Sequence, residues 1–203
     1  MKNLKDILVE KLKVDDIVID TLDKEIIKKY KLVYNSKTDS YDCDSDIKVK
    51  DDLIKDGYFI CNFGIVKGDF NCNECKLKSL QGAPKEVGGD FYCTHCNGLK
   101  NLEGAPEKVV INFSCADCEN LETLKGAPKE VGGYFSCAYC KNLKSLKGSP
   151  EYVGVDFWCN NCNNLESLEG APKKIGGDFR CTSCENLKDY NIGNTKIGRS
   201  FVK

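Results

Sequence analysis

Twelve cysteines form six Cys-x-x-Cys pairs, a spacing that occurs in zinc sites and in thiols that exchange disulfides. The pairs are Cys72 and Cys75, Cys93 and Cys96, Cys115 and Cys118, Cys137 and Cys140, Cys159 and Cys162, and Cys181 and Cys184. Thiolates bind zinc or iron, paired thiols can be oxidised, and buried neutral thiols pack as small apolar groups. These cysteines are therefore candidate metal ligands, redox groups or core residues.

Every pair occupies the same place in a repeated unit. The phenylalanine that opens each unit recurs at a spacing of 21 residues once and 22 residues five times, at Phe70, Phe91, Phe113, Phe135, Phe157, Phe179 and Phe201. After the cysteines come two leucines three residues apart, then Gly-(Ala/Ser)-Pro in the five complete copies, then Val or Ile. A repeat of this length indicates stacked structural units.

The signals within one unit are typical of a solenoid coil. In Phe157-Trp158-Cys159, strand alternation places Phe157 and Cys159 on one face and Trp158 on the other. Gly176-Gly177 permits a tight turn, and Gly170-Ala171-Pro172 breaks a helix. Because one unit cannot bury its apolar residues alone, neighbouring copies must stack about 4.8 Å apart. We predict a repeat solenoid with a parallel β-sheet, irregular or 3₁₀ return segments and a small α-helical N-terminal cap.

The order of apolar positions resembles the leucine-rich repeat pattern, with one more residue before the phenylalanine. Phrases such as Leu165-Glu166-Ser167-Leu168-Glu169-Gly170-Ala171-Pro172 and Lys129-Glu130-Val131-Gly132-Gly133 look like the short leucine-rich-type repeats of bacteriophage and bacterial proteins. The resemblance covers about residues 41–203 and places the second cysteine of each pair where the family carries Asn or Cys. It implies a leucine-rich-repeat-like fold and a binding role, because that family mostly binds proteins on its concave sheet face.

The segment before the repeats carries helix and hairpin signals. Two apolar sets at helical spacing are Leu4, Ile7, Leu8 and Leu12, and Leu22, Ile26 and Tyr30, the second with Thr21 as its expected N-cap. We predict a helical cap with a short hairpin over 1–40, degenerate repeats over 41–68, six repeats of 21–22 residues over 69–198 and a terminal strand cap over 199–203. A separate small helical module is the alternative for the first segment.

The geometry of the cysteine pairs favours a structural role. An extended chain across a pair separates the two Cα atoms by about 10 Å, beyond the roughly 7 Å limit for a disulfide, so a bond within a pair requires a sharp turn. A metal would have to gather ligands from two adjacent coils. We expect no cofactor and buried reduced thiols whose S–H groups bond turn carbonyls, with a zinc-binding or redox-responsive protein as the alternative.

Charge and hydropathy limit the classes of partner. The chain has 30 Lys+Arg and 31 Asp+Glu, interspersed along its length, so no electrostatic case arises for nucleic acid or an anionic membrane. The start of the sequence lacks the apolar core of an export signal, and no later run approaches about 18 apolar residues. We expect a cytoplasmic protein with a protein partner, no membrane association and no direct nucleic-acid binding.

The positions that vary between copies and face solvent are the candidate binding site. They gather the aromatic and charged residues Tyr92, His95, Tyr134, Tyr139, Trp158 and Arg180, flanked by Asp90, Asp156 and Asp178. Exposed Trp, Tyr and Arg are typical of interface hot spots. The alternative is that these are only strand-favouring residues on a solvated face.

Catalytic signals are sparse. The single histidine, His95, occurs in one copy, and no Ser/His/Asp order, phosphate-binding loop or dinucleotide-binding glycine pattern is present. We predict a non-enzymatic protein-binding solenoid. The resemblance further implies a phage-encoded protein acting in the host cytoplasm, as an inhibitor of a bacterial defence protein such as a CRISPR-type nuclease.

Overall fold

The computed structural model describes residues 13–14, 17–18 and 22–203. Its N-terminal part contains an antiparallel pair, β1 (Lys13–Val14) and β2 (Ile17–Val18), then helix α1 (Lys24–Tyr30) and the antiparallel hairpin β3 (Val33–Asn35) and β4 (Ser40–Cys43). Next come β5 (Ile47–Lys48), a 3₁₀ turn (Asp51–Leu53) and the antiparallel pair β6 (Ile54–Lys55) and β7 (Tyr58–Phe59). The first amphipathic helix, expected around Leu4, Ile7, Leu8 and Leu12, lies outside the described residues.

Helix α1 starts two residues later than its apolar spacing suggests. Asp23, which we expected in the first turn after an N-cap at Thr21, is itself the N-cap, and its Oδ1 accepts a hydrogen bond from Glu25 N at 2.7 Å. The hydroxyl of buried Tyr30 donates to Asp52 Oδ1 at 2.7 Å. The helix is therefore attached to the first coils of the repeat body.

Two parallel sheets run along the repeat body, where the sequence predicted one. The phenylalanine sheet consists of β5 and β9 (Phe70–Asn71), β11 (Phe91–Tyr92), β13 (Phe113–Ser114), β15 (Phe135–Ser136), β17 (Phe157–Trp158), β19 (Phe179–Arg180) and β21 (Phe201–Val202). The valine sheet consists of β3, β4, β8 (Phe63–Val66), β10 (Glu86–Val87), β12 (Lys108–Val109), β14 (Glu130–Val131), β16 (Tyr152–Val153), β18 (Lys174–Ile175) and β20 (Lys196–Ile197). Equivalent residues pair in register, as in Phe135 with Phe157 and Val131 with Val153.

The fold is a parallel β-solenoid of about seven turns, which confirms the repeat solenoid and its parallel strands. The return segments of the regular coils consist of turns and irregular backbone, and the 3₁₀ turn lies before them. The strands of these coils are only two residues long, so no coil is a stable unit by itself. Stacking therefore supplies the stability that a single coil lacks.

Columns of identical residues fill the core. The phenylalanine rings from Phe70 to Phe157 stack with centroids 5.1–5.6 Å apart and planes within 14° of parallel. The valine, leucine and cysteine columns beside them are almost entirely buried. Burying one Val, Leu or Phe side chain contributes about 1.5–3 kcal/mol, so each coil depends on the coils on either side of it.

A glycine permits a close approach between the return segments of adjacent coils. Gly170 has a φ of +86°, and a Cβ atom on it would lie 2.6 Å from the backbone N and Cα of Lys147 in the preceding coil. Gly193 also has a positive φ, +59°, but a Cβ atom there would meet nothing within 4 Å. The backbones of adjacent regular coils are therefore too close at Gly170 to accept a side chain.

Lysines and glutamates of neighbouring coils form ion pairs on the outer surface. Lysine nitrogens lie 2.6–2.9 Å from glutamate oxygens of neighbouring coils in the pairs Lys125 with Glu103, Lys141 with Glu119, and Lys147 with Glu169. These side chains are exposed, so each pair contributes little to stability. Like charges also occur in adjacent coils, as at Lys174 and Lys196, which pair in register, so charge does not determine how the coils pair.

Candidate functional site

The cysteine pairs lie inside the solenoid, in two columns beside the phenylalanine column. All fourteen cysteines are free thiols, and eleven of the twelve paired ones are buried, with Cys75 half-buried. The second cysteine of a pair places Sγ 3.1–3.2 Å from the carbonyl oxygen of the first cysteine of the preceding coil, as Cys118 does with Cys93 and Cys140 with Cys115. The same contact recurs for Cys96, Cys162 and Cys184.

A left-handed turn separates the two cysteines of each pair. The residue just before the second cysteine has a φ between 56° and 61° in all six coils, at Glu74, His95, Asp117, Tyr139, Asn161 and Ser183. The chain is therefore not extended across the pair. The two thiols bond in opposite directions along the solenoid, since the first thiol reaches the following coil, as Cys115 Sγ does to Ser136 O at 3.5 Å.

Burial makes most of these thiols weak acids, whereas the neighbouring Cys72 side chain lowers the pKa of Cys96. Burial raises the pKa of Cys159 well above its ordinary value of 9.0, and raises the pKa of both Cys75 and Cys184 to about 11. The thiolate is the form that binds metal and attacks disulfides. Within the described part of the chain, no group of three or more Cys, His, Asp or Glu side chains is arranged to hold a metal ion.

The strand face is the outward side of the phenylalanine sheet with the adjoining left-handed turn. In each regular coil it comprises the residue before the strand phenylalanine, the residue after it and the turn residue with positive φ. Three of its aromatic residues form one cluster. The rings of Tyr134 and Trp158 stack with centroids 4.7 Å apart, and the hydroxyl oxygens of Tyr134 and Tyr92 are 3.4 Å apart.

Two serines leave room for this aromatic cluster. Ser114 and Ser136 occupy the strand positions between Tyr92 and Trp158, and they are only 6% and 4% exposed although their side chains point outward. Small residues there allow the Tyr134 ring to lie over the sheet between the two larger neighbours. The cluster therefore extends over four consecutive coils, from the coil of Tyr92 to the coil of Trp158.

Acidic and amide side chains form a ladder beside the cluster. Where an Asp or Asn precedes the strand, which begins with Phe or, in β5, with Ile47, its Oδ1 accepts a hydrogen bond from the backbone N–H of the equivalent residue in the next coil. This contact runs from Asp46 to Asp69, Asp69 to Asp90, Asp90 to Asn112, Asn112 to Tyr134, Asp156 to Asp178 and Asp178 to Ser200, at 2.8–3.1 Å. Tyr134 has no such acceptor, so the ladder is interrupted at the coil that carries the cluster.

The second carboxylate oxygen of two ladder residues binds a neighbour on the strand face. Asp90 Oδ2 accepts from the Tyr92 hydroxyl at 2.7 Å, and Asp178 Oδ2 accepts from Arg180 Nη2 at 2.8 Å. Partial burial and the hydrogen bonds with Tyr134 and Asp90 raise the pKa of Tyr92, while the Arg180 guanidinium lowers the pKa of Asp178. Both contacts fix carboxylates at defined positions beside the aromatic rings.

The structure brings together part of the site that the sequence suggested. Tyr92, Tyr134, Trp158 and Asp90 are connected, and Arg180 with Asp178 lies one coil beyond Trp158. Asp156 lies in the ladder between Tyr134 and Asp178, whereas His95 and Tyr139 project from exposed turns. Sequence reasoning missed the ladder role of Asp69 and Asn112, although the recurrence of Asp or Asn before each phenylalanine was a signal for it.

Comparison with known proteins gives no match, whether to a protein-family model, to a curated protein or to a solved structure. Among the described residues, no helix has the length and apolar character needed to cross a membrane. The class that the coordinates define is the parallel β-solenoid, and its distinguishing feature is an aromatic cluster on the outward side of one sheet.

Proposed function

We propose that this chain is a non-enzymatic, protein-binding solenoid that contacts its partner through the strand face. The observation that carries the proposal is the cluster of Tyr92, Tyr134 and Trp158, which gathers large aromatic side chains on a partly exposed surface. Interfaces concentrate their binding energy in such residues, because their area is large and their rotamers are few. The surrounding carboxylates form a polar rim around this aromatic centre.

An unpaired donor supports a role in binding. The indole N–H of Trp158 is buried and has no hydrogen-bond partner in the described part of the chain. Leaving such a donor unpaired costs about 1–3 kcal/mol. A partner that supplies a carbonyl or carboxylate oxygen when the indole ring turns outward recovers that energy, so the cluster is better satisfied in a complex.

In this function the cysteines are core residues, and His95 is a residue of the strand face. Buried thiols with raised pKa values carry little thiolate at neutral pH, which makes them poor nucleophiles and poor metal ligands. The alternative, a zinc-binding or redox-responsive protein, is favoured by the alignment of the cysteine columns, in which Cys118 Sγ lies 3.1 Å from the carbonyl oxygen of Cys93 in the preceding coil. Elemental analysis for zinc and thiol titration under denaturing conditions separate the two, since bound zinc or few free thiols favours the alternative.

A more specific form of the proposal rests on the resemblance to leucine-rich-type repeats of phage and bacterial proteins. In this form the chain is phage-encoded, acts in the cytoplasm of the host and inhibits a bacterial defence protein such as a CRISPR-type nuclease. The carboxylates on the strand face repel phosphates, which supports a protein target over direct binding of nucleic acid. The gene's neighbourhood in its genome and inhibition assays with purified nucleases test this form.

The binding role is tested with the protein immobilised and exposed to bacterial lysate, followed by mass spectrometry. Trp158→Ala removes the centre of the cluster, and Tyr152→Ala is the matched control because Tyr152 lies on the valine sheet. We expect a protein that is retained by the unaltered chain and by Tyr152→Ala and is reduced at least about tenfold with Trp158→Ala. Equal retention by both variants contradicts the proposal.

A further inference from the structure

The strand face carries a charge that the rest of the molecule does not. Its six acidic residues are Asp69, Glu74, Asp90, Asp117, Asp156 and Asp178, and its one basic residue is Arg180. Its formal charge is therefore −5, although the whole chain has a formal charge of −1. No lysine lies on this face in the regular coils, although the chain contains 30 Lys+Arg, and Lys48 of β5 occupies the outward position in the coil before them.

The carboxylates of this face are fixed in orientation. Each ladder aspartate uses Oδ1 for a backbone N–H of the next coil, as Asp69 does for Asp90 and Asp156 does for Asp178. This contact leaves Oδ2 for another donor. Within the described residues, Asp69 and Asp156 form no ion pair, so their second oxygens are available to a partner.

Arg180 shows which donor fits such an oxygen. Its Nη2 lies 2.8 Å from Asp178 Oδ2, in the strand position next to Trp158. An arginine from a partner reaches Asp156 or Asp69 in the same manner, and a guanidinium also packs well against aromatic rings. The face therefore combines fixed carboxylates with an aromatic centre, and both parts favour the same cationic group.

We infer that the strand face binds a basic, arginine-containing segment of a protein partner. The inference rests on the proposed binding function and specifies the chemistry of the partner. Charge complementarity between this face and such a segment speeds association and excludes acidic surfaces and nucleic acid. Asp156 and Asp69 receive the cationic side chains, and the cluster of Tyr92, Tyr134 and Trp158 packs against the adjacent apolar parts of the segment.

The test uses a random dodecapeptide library displayed on particles and selected against the full chain. Binders that also bind Trp158→Ala are discarded, and we expect the remaining peptides to be enriched in arginine relative to the starting library. Remaining peptides that are neutral or acidic overturn the inference while the binding function stands. If no peptide depends on Trp158, both the inference and the proposed function fail.

Matched variants then test the carboxylates with one selected peptide. Asp69→Asn, Asp117→Asn and Asp156→Asn, combined, remove three charges but keep the ladder, because Asn112 already makes the same bond with Tyr134 N. Glu86→Gln, Glu107→Gln and Glu130→Gln, combined, make the same charge change on exposed residues of other faces. We expect the first set to weaken binding at least about tenfold and the second less than about twofold. Equal effects overturn the inference.

A measurement without a partner tests the potential of the face. The chain has one tryptophan, so fluorescence excited at the indole reports on Trp158 alone. Relative to the quenching of free N-acetyltryptophanamide, we expect quenching by caesium ions to be reduced less than quenching by iodide ions, with neutral acrylamide as the reference for access. An equal reduction for the two ions, relative to the free indole, contradicts an acidic strand face.

Discussion

On the inward side of each phenylalanine strand the same residue types recur in every regular coil, whereas the outward side differs from coil to coil. Phe135 and Cys137 point inward from β15 and repeat in the coils on either side. Outward, the position after the phenylalanine holds Tyr92, then two serines, then Trp158. The inward residues contact copies of themselves, so a change in one coil affects its neighbours, while most outward residues can change alone.

The largest effect we expect is a loss of folding stability at high pH, which acts through the buried thiols of the inward side. Burial raises the pKa of Cys159 well above its ordinary value of 9.0, so the unfolded chain loses this proton first as the pH rises. The stability from keeping the thiol neutral is complete below about pH 9 and declines above it, by about 1.4 kcal/mol per thiol at pH 10. Several thiols together approach the 5–15 kcal/mol of a typical domain, so we expect alkaline unfolding between about pH 9 and 11, measured by circular dichroism with a reductant present.

Cys159→Ala provides the control for the alkaline unfolding. It lowers the free energy of unfolding at pH 7, because a buried side chain is shortened, but that free energy then declines less steeply between about pH 9 and 11 than in the unaltered protein. Identical slopes for the two proteins would show that the thiols do not set the alkaline limit.

The next effect compares the two sides within one coil. Phe135 is fully buried between Phe113 and Phe157, so Phe135→Ala should lower the free energy of unfolding by about 3–5 kcal/mol in urea titrations. Tyr139 is 48% exposed, and Asn161 occupies the same turn position in the next coil. Tyr139→Asn should therefore change the free energy of unfolding by less than about 0.5 kcal/mol. Phe135→Leu gives an intermediate loss if the alanine variant does not fold. Similar losses for Phe135→Ala and Tyr139→Asn refute the distinction between the two sides.

Two glycine positions test whether neighbouring coils restrict one another through their backbones as well as through their inward side chains. Alanine at a positive φ costs about 1–2 kcal/mol, and this cost applies to both Gly170→Ala and Gly193→Ala. Only Gly170→Ala adds a clash with the backbone of Lys147, which should lower the free energy of unfolding by a further 1–3 kcal/mol, roughly. Thermal unfolding of the two variants measures the difference, and equal midpoints mean that the coils can separate enough to accept a methyl group.

The smallest effect lies at the boundary between the two sides. Asp156 faces outward but bonds to Asp178 N, so Asp156→Ala should lower the free energy of unfolding by about 1 kcal/mol. Asp156→Asn should have almost no effect, because Asn112 makes the same contact in the ladder. Urea titrations of both variants test this contrast. A loss with Asn as large as that with Ala indicates that the charge, not the hydrogen bond, stabilises the coil.

The repeat determined how much of this arrangement could be read from the sequence. The spacing of the phenylalanines and the alternation around Trp158 predicted stacked coils, parallel strands and an outward Trp158. The valine sheet was missed because strands such as Glu130–Val131 contain a single buried apolar residue, whereas buried Phe157 and Cys159 on either side of Trp158 form an alternation pattern. The left-handed turn was missed because residues such as Glu74 and Tyr139 do not indicate a positive φ.

The candidate site was predictable in its members but not in its contacts. Trp158 and Tyr134 could be assigned to one face from their positions in the repeat. Their ring stack depends on side-chain conformations and on the two serines that give the Tyr134 ring its space, and neither follows from spacing. The leucine-rich-repeat type stays a prediction, as does the protein partner.

The interruption of the ladder at Tyr134 has a consequence for binding. The aspartates and asparagines link coil to coil like rungs, except between the coils of Tyr134 and Asp156, where the stacked rings of Tyr134 and Trp158 bridge the same step. Both sheets and the core columns continue through this step, so the ring stack takes the place of one side-chain hydrogen bond between the two coils. A partner that turns the Trp158 ring outward breaks this stack, so binding on the strand face and the lateral contact between these two coils are coupled.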